Sequence, residues 1–179
     1  RGNSGVILSL LFRGFSKGLE GKSTADGKDL AVALGIGVEA AYNAVMKPTE
    51  GTILTVAREG YEAGIKAAET NPDEVHVWQV IIDAAERALL NTPELLPVLK
   101  RAGVVDAGGK GLCVIFEGMM SVIRDGKVIE FAAAKESEEQ VDTFRSAAAE
   151  FDEVINFTYC TEFIAERENS EKDPLELRA

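Results

Sequence analysis

Six times in succession between residues 4 and 125, apolar residues recur three or four positions apart, and most of the runs open on a capping signal and close near a glycine or proline. Leu8, Leu11, Phe12, Phe15 and Leu19 make the first run, which Asn3 or Ser4 can cap and Gly21 ends. Asp26 opens the second, with Asp29 in its first turn and Ala31, Leu34, Val38, Ala41, Tyr42 and Val45 along one face. The third spans about Thr52 to Glu69 through Leu54, Ala57, Tyr61, Ile65 and Ala68. In the fourth, Asn71, Pro72 and Glu74 have the spacing of a capping box, ahead of Trp78, Ile81, Ile82, Ala85 and Leu89. Thr92-Pro93 is expected to open a short fifth helix through Leu95, Leu96 and Leu99. The sixth carries Leu112, Ile115, Phe116, Met119 and Ile123 and stops at Asp125-Gly126. Short connections make successive helices antiparallel, so the expectation is an all-α, up-and-down helical barrel or bundle. Gly35 and Gly37 sit inside the second run, where each costs about 1 kcal/mol relative to alanine, which implies close approach of a neighbouring helix.

The texture changes after Gly126. Residues 127–131 read as a short extended segment and 138–151 as an acidic amphipathic helix, so 127–151 is expected to be a linker. Residues 152–165 alternate at strand period, with Phe157, Tyr159, Thr161 and Phe163 on one side, which marks 152–179 as the start of a second, α+β domain. Of the net charge of -11, the thirteen acidic and five basic residues from 135 to 179 supply -8. No basic footprint for nucleic acid is present, and the acidic end would be repelled by a phosphate backbone. No apolar run is long enough to span a bilayer. Cys113 and Cys160 form no Cys-x-x-Cys spacing and read as reduced thiols, which fits a cytoplasmic protein. The chain starts with Arg1, and a helical pattern follows at once, so upstream residues of the native protein are expected to be missing.

Two glycine-rich helix starts carry the chemistry. Gly103-Val104-Val105-Asp106-Ala107-Gly108-Gly109-Lys110-Gly111-Leu112 puts an acid and several glycines just before an apolar helix, where backbone N–H groups can approach an anion. A flexible turn between two helices is the plain alternative. Arg1-Gly2-Asn3-Ser4-Gly5 repeats the same chemistry at the first helix, and two such starts in one helical domain suggest one shared anion. Asp106 either accepts a hydrogen bond from a ribose hydroxyl or adenine amino group, or caps the sixth helix. Lys110 reads as solvent-facing or phosphate-neutralising. His76 lies in a helical first turn with no nucleophile beside it, and Met119-Met120 read as core.

Together with Val45-Met46-Lys47-Pro48-Thr49-Glu50-Gly51-Thr52-Ile53-Leu54, these stretches resemble the DhaL-type (DAK2) ATP-binding domain of the fatty acid kinase family, a relative of the nucleotide-binding component of dihydroxyacetone kinases. Tyr159-Cys160-Thr161-Glu162-Phe163 is similar to the opening strand of that family's middle domain. The resemblance implies that residues 1–126 are a nucleotide-binding helical domain lacking its N-terminal part. It implies ATP and Mg2+ at one rim, with Asn3, Ser4 and Gly5 at phosphate, Thr52 and Ile53 on the adenine side, and Asp106, Ala107 and Gly108 as the purine or ribose loop. It also implies a DegV-like fatty-acid-binding protein as partner, and leaves room for a homodimer.

The family's magnesium ligands belong to an Asp-Gly-Asp-Thr-Gly segment ahead of the serine loop, which this chain does not contain. Asp26, Asp106 and Asp125 are isolated from one another, so these 179 residues are expected to hold no metal and, by themselves, to lack kinase activity. The middle-domain cysteine that Cys160 resembles can join histidines on a metal, but those histidines are absent from this chain. Three functions remain open: the ATP-binding part of a fatty acid kinase, a dihydroxyacetone-kinase-like phosphotransfer protein, and a non-catalytic helical interaction scaffold.

Overall fold

The computed structural model describes residues 2–126. They form six helices and no strand: α1 (Asn3–Gly18), α2 (Gly27–Ala44), α3 (Ile53–Thr70), α4 (Glu74–Leu95), α5 (Pro97–Ala102) and α6 (Ala107–Asp125). The all-α expectation holds for these residues. The residues expected to form a linker helix and a strand at 152–165, and Cys160, lie outside them.

Neighbouring long helices run antiparallel, as specific contacts show. Gly14 and Gly18 of α1 face Gly37 and Ala33 of α2; Tyr61 and Gly64 of α3 face Gly35 and Ala31 of α2; and Gly60 of α3 faces Ala85 and Ile81 of α4 while Gly64 faces Ile81. Trp78 near the start of α4 reaches Phe116 in α6, while Leu89 near its end reaches Gly109. Glycine is required where α1 crosses α2: a Cβ on Gly37 would overlap the Leu11 carbonyl oxygen, and one on Gly14 would overlap the Gly37 backbone. The backbones touch with no side chain between them. That contact explains why a helix former was given up inside α2.

The interior is built around Trp78, which is fully buried. Its ring packs edge-on against Phe116 and Phe15, with centroids 5.3 and 6.0 Å away, and its Nε1–H donates to the Phe116 carbonyl at 3.0 Å. Leu11, Leu34, Val38 and Ile82 are buried as their periodicity predicts. Phe15, Ile115 and Met119 are only half-buried. Phe15 and Met119 line a narrow apolar groove with Leu11, Phe12, Leu34, Trp78, Leu112 and Phe116, so their stripes lie at the edge of the core.

Four helix boundaries differ from expectation. α1 starts at Asn3 with Gly2 at the cap position, φ +89°, and neither Asn3 nor Ser4 caps it. It ends at Gly18, ahead of Gly21, which turns the chain at φ +76°. α4 is capped by Asp73, whose carboxylate accepts from the His76 N–H at 2.8 Å, rather than by Asn71. The reason is tertiary: the Pro72 carbonyl is turned out to accept from Gly27 N at 2.8 Å, leaving Asn71 to accept from Asp73 N at 3.1 Å. Finally, Thr92-Pro93 opens no helix, because α4 runs through Pro93 to Leu95. Proline has no N–H to give the carbonyl one turn back. That carbonyl, on Leu89, is satisfied instead by the Thr92 hydroxyl at 2.7 Å.

Candidate functional site

Antiparallel alternation sends α1, α3 and α6 off from one end of the domain, with α5 taking up the odd crossing, and their first residues meet. A Cβ placed on Gly108 would lie 3.2 Å from Ser4 Oγ, 3.2 Å from Asp106 Oδ2 and 3.4 Å from Ile53 Cβ. All three stretches singled out in the sequence therefore touch at one glycine. α2 and α4 begin at the opposite end, joined by the Gly27–Pro72 hydrogen bond.

The two ends differ electrostatically. Each helix start carries roughly half a positive charge from its aligned peptides and several N–H groups without intrahelical partners. At the α2 and α4 end these are answered by the protein's own acids: Asp26 and Asp73 cap, and Asp29 and Glu74 occupy the first turns. In α1, α3 and α6 the first turn holds no acid, and α1 has no side-chain cap. Asp106 is the carboxylate among the residues that meet here, and it is committed as the α6 cap, accepting from Gly109 N at 2.7 Å. Of the two roles the sequence left open for Asp106, the cap is observed. What remains is three adjacent helix starts whose first turns carry no acid, an arrangement that suits a bound anion.

Gly5 supplies a second sign. It sits in the first turn of α1 with ordinary helical φ, and a Cβ there would meet nothing within 4 Å. Among the described residues, neither packing nor backbone conformation calls for glycine there. Asn3, Ser4 and Ala107 are exposed, Thr52 and Gly108 half-buried, and Ile53 buried at 4% exposure, so Ile53 forms the floor beneath Gly108.

The sequence profile of the DAK2 domain matches residues 1–121. The chain belongs to the DAK2 domain family. An uncharacterized protein of Staphylococcus saprophyticus is 46% identical over 169 residues. Uncharacterized proteins from two Staphylococcus aureus strains, USA300 and NCTC 8325, are each 47% identical over the same length. Each alignment covers 92% of this chain and 30% of the relative, so the chain spans under a third of the length of these relatives. The DAK2 family is a dihydroxyacetone-kinase-like, ATP-binding one.

Two features of this DAK2 domain escaped the sequence. The fully buried Thr92 hydroxyl, besides serving Leu89, accepts from Asp106 N at 3.1 Å, pinning the start of the α6 loop to the end of α4. Its only local signal is a threonine just before a proline, which reads equally well as a helix start. The second is a polar cluster behind the α2–α3 loop. Glu50 accepts from Tyr42 OH at 3.1 Å, Thr55 Oγ1 at 2.7 Å and Arg58 Nη2 at 3.1 Å, while Gly51 N donates to Thr55 Oγ1 at 2.8 Å. Burial pushes the Glu50 carboxyl up, but the hydrogen bonds from Thr55 and Arg58 outweigh it and hold it below its ordinary value. No fixed spacing announces such a cluster.

The remaining candidates are structurally plain. His76 is exposed, and its backbone N–H serves the α4 cap. Lys110 is exposed on α6. Cys113 is buried, its thiol pushed up to about 11 by burial and by Glu86, which leaves it protonated and unreactive at neutral pH. Met120 is core and Met119 lines the apolar groove. Among the described residues no three acids, histidines or cysteines come together as a metal cage, and Asp106 already serves Gly109. These residues do not by themselves fit a magnesium site. No helix among them is long and apolar enough to cross a membrane.

Proposed function

We propose that residues 1–126 bind ATP, with the phosphates over the first turn of α1 and the base toward Thr52, Ile53 and the Asp106-Ala107-Gly108 start of α6. The observation that carries this is the meeting of three helix starts around Gly108 without first-turn acids to neutralise them. In this reading Ser4 Oγ and the N–H groups of Asn3, Ser4 and Gly5 hold phosphate oxygens, and Gly5 is glycine because a phosphate needs the space. Magnesium would be held chiefly by carboxylates outside residues 1–179, in the aspartate-rich segment implied by the resemblance. The longer protein is then the ATP-binding component of a fatty acid kinase, with residues 127–151 linking the nucleotide domain to a middle domain from 152 onward. Its acceptor is a fatty acid presented by a separate DegV-like binding protein.

In the longer protein that carries the aspartate-rich segment, Ser4→Ala removes one hydroxyl donor to a charged group and is expected to weaken ATP binding roughly tenfold to a hundredfold. Gly5→Ala should weaken it as well, by occupying ligand space, while leaving the fold as stable as before or slightly more so, since alanine is the better helix former. Calorimetric titration with ATP and magnesium, paired with urea unfolding of each variant, checks both. Unchanged affinity in both variants would remove phosphate from the α1 start. The acyl reading is tested by supplying the kinase with either a protein-bound fatty acid or dihydroxyacetone. Transfer to dihydroxyacetone alone would replace it with the dihydroxyacetone-kinase-like alternative.

A further inference from the structure

The cluster around Glu50 lies behind the wall that the proposed function assigns to the base. Glu50, Gly51 and Thr52 form the last turn of chain before α3, and Ile53, the first residue of α3, touches Gly108. Three side chains from two helices grip the Glu50 carboxylate: Tyr42 from the end of α2, and Thr55 and Arg58 from α3. Arg58 Nε also donates to Tyr42 OH at 3.2 Å, so arginine, tyrosine and carboxylate close into a ring. Within the loop, Thr52 Oγ1 donates to the Thr49 carbonyl at 2.8 Å and accepts from Leu54 N at 3.4 Å. Gly51 packs on the other side against Leu95, Leu96 and the Thr92 carbonyl, at φ +82°. The loop is thus fixed from both flanks.

Stability is a weak explanation for so many bonds on one carboxylate. The Glu50 and Arg58 side chains are 48% and 33% exposed, a range in which an ion pair contributes little to folding. What the ring does is tie the turn that carries Thr52 and Ile53 to the end of α2 and to α3. We infer that Glu50, Arg58 and Tyr42 are positioning residues for the base-binding wall of the nucleotide cleft, setting affinity for the nucleoside part of ATP without touching it. This rests on the nucleotide reading above and adds a division of labour: α1 holds phosphate, and the braced α3 start holds the base.

Glu50→Gln keeps the size and one acceptor but breaks the charge-assisted bonds from Arg58 and the geometry of the ring. Its affinities for ATP and for inorganic tripolyphosphate, both with magnesium, separate the two halves of the site. The expected result is a Kd for ATP raised roughly tenfold, the size of one lost hydrogen bond, with the Kd for tripolyphosphate and the thermal midpoint nearly unchanged. Arg58→Lys should show the same split more weakly. Glu62→Gln, which removes a partner of Arg58 within α3 at 3.3 Å and leaves Glu50 in place, should show none. Equal losses for ATP and tripolyphosphate, or no loss for either, would overturn the inference while leaving the nucleotide reading intact. A wild-type protein that binds neither ligand would overturn both.

Discussion

Trp78→Ala is expected to destabilise the helical domain by about 3–5 kcal/mol, the range for deleting a fully buried large aromatic. Small domains have only about 5–15 kcal/mol in total, so the variant should lie close to its unfolding threshold. The ring is 0% exposed and contacts Phe116 and Phe15 edge-on, tying α4 to α6 and to α1. Its removal opens a cavity where those helices meet, next to an apolar groove already lined by the same phenylalanines. Partial collapse of α1 toward α4 is resisted by the glycine contact that fixes α1 on α2, so the cavity should stay largely open. Trp78→Phe keeps most of the apolar area and loses the hydrogen bond to the Phe116 carbonyl, and its cost should be nearer 1 kcal/mol. Because Trp78 is the chain's one tryptophan, urea unfolding must be followed by circular dichroism. A loss below about 1 kcal/mol for the alanine variant would mean that Trp78 is not the centre of the core.

Gly37→Val should cost about 3 kcal/mol or more, at or beyond the top of the usual overpacking range. The first side-chain carbon alone would overlap the Leu11 carbonyl oxygen, which is backbone and cannot rotate away. α1 must then tilt off α2, and Ser4 moves with it. Affinity for ATP is therefore expected to fall together with stability. Gly111→Ala provides the contrast within the same protein. A Cβ at Gly111 meets no described residue within 4 Å, and the substitution should stabilise α6 by up to about 1 kcal/mol through helix propensity alone. Urea midpoints of the two variants should move in opposite directions. Stabilisation by both would mean that α1 and α2 do not make backbone contact.

The helices could be read from the chain because their stability is mostly burial of periodic apolar stripes, and Leu11, Leu34, Trp78 and Phe116 sit in those stripes. Asp26 and Asp106 could be read as caps because a cap bonds within three residues of itself. Asp73 is not legible as the cap, because what displaces Asn71 is a hydrogen bond that the Pro72 carbonyl accepts from Gly27 N–H, some forty-five residues away in sequence. Thr92 was missed for a similar reason: its role as stand-in donor and loop anchor depends on Asp106 lying beside it. That Ser4, Ile53 and Asp106 come together follows from alternating helix directions once α5 is allowed to reverse the parity. The Glu50 cluster could not be read at all, since its bonded pairs sit 5, 8 and 16 positions apart and match no helical or strand spacing.

Hydrogen–deuterium exchange of the protein with and without ATP and magnesium tests the central claim, because N–H groups at helix starts exchange readily until something binds them. Added protection is expected in peptides covering residues 2–8, 51–56 and 105–111. Peptides covering 24–30 and 71–77, where α2 and α4 begin behind their own acids, should be unchanged. Protection at the α2 and α4 starts, or ATP binding that leaves residues 2–8 and 105–111 exchanging as before, would contradict a nucleotide site at the meeting point of α1, α3 and α6.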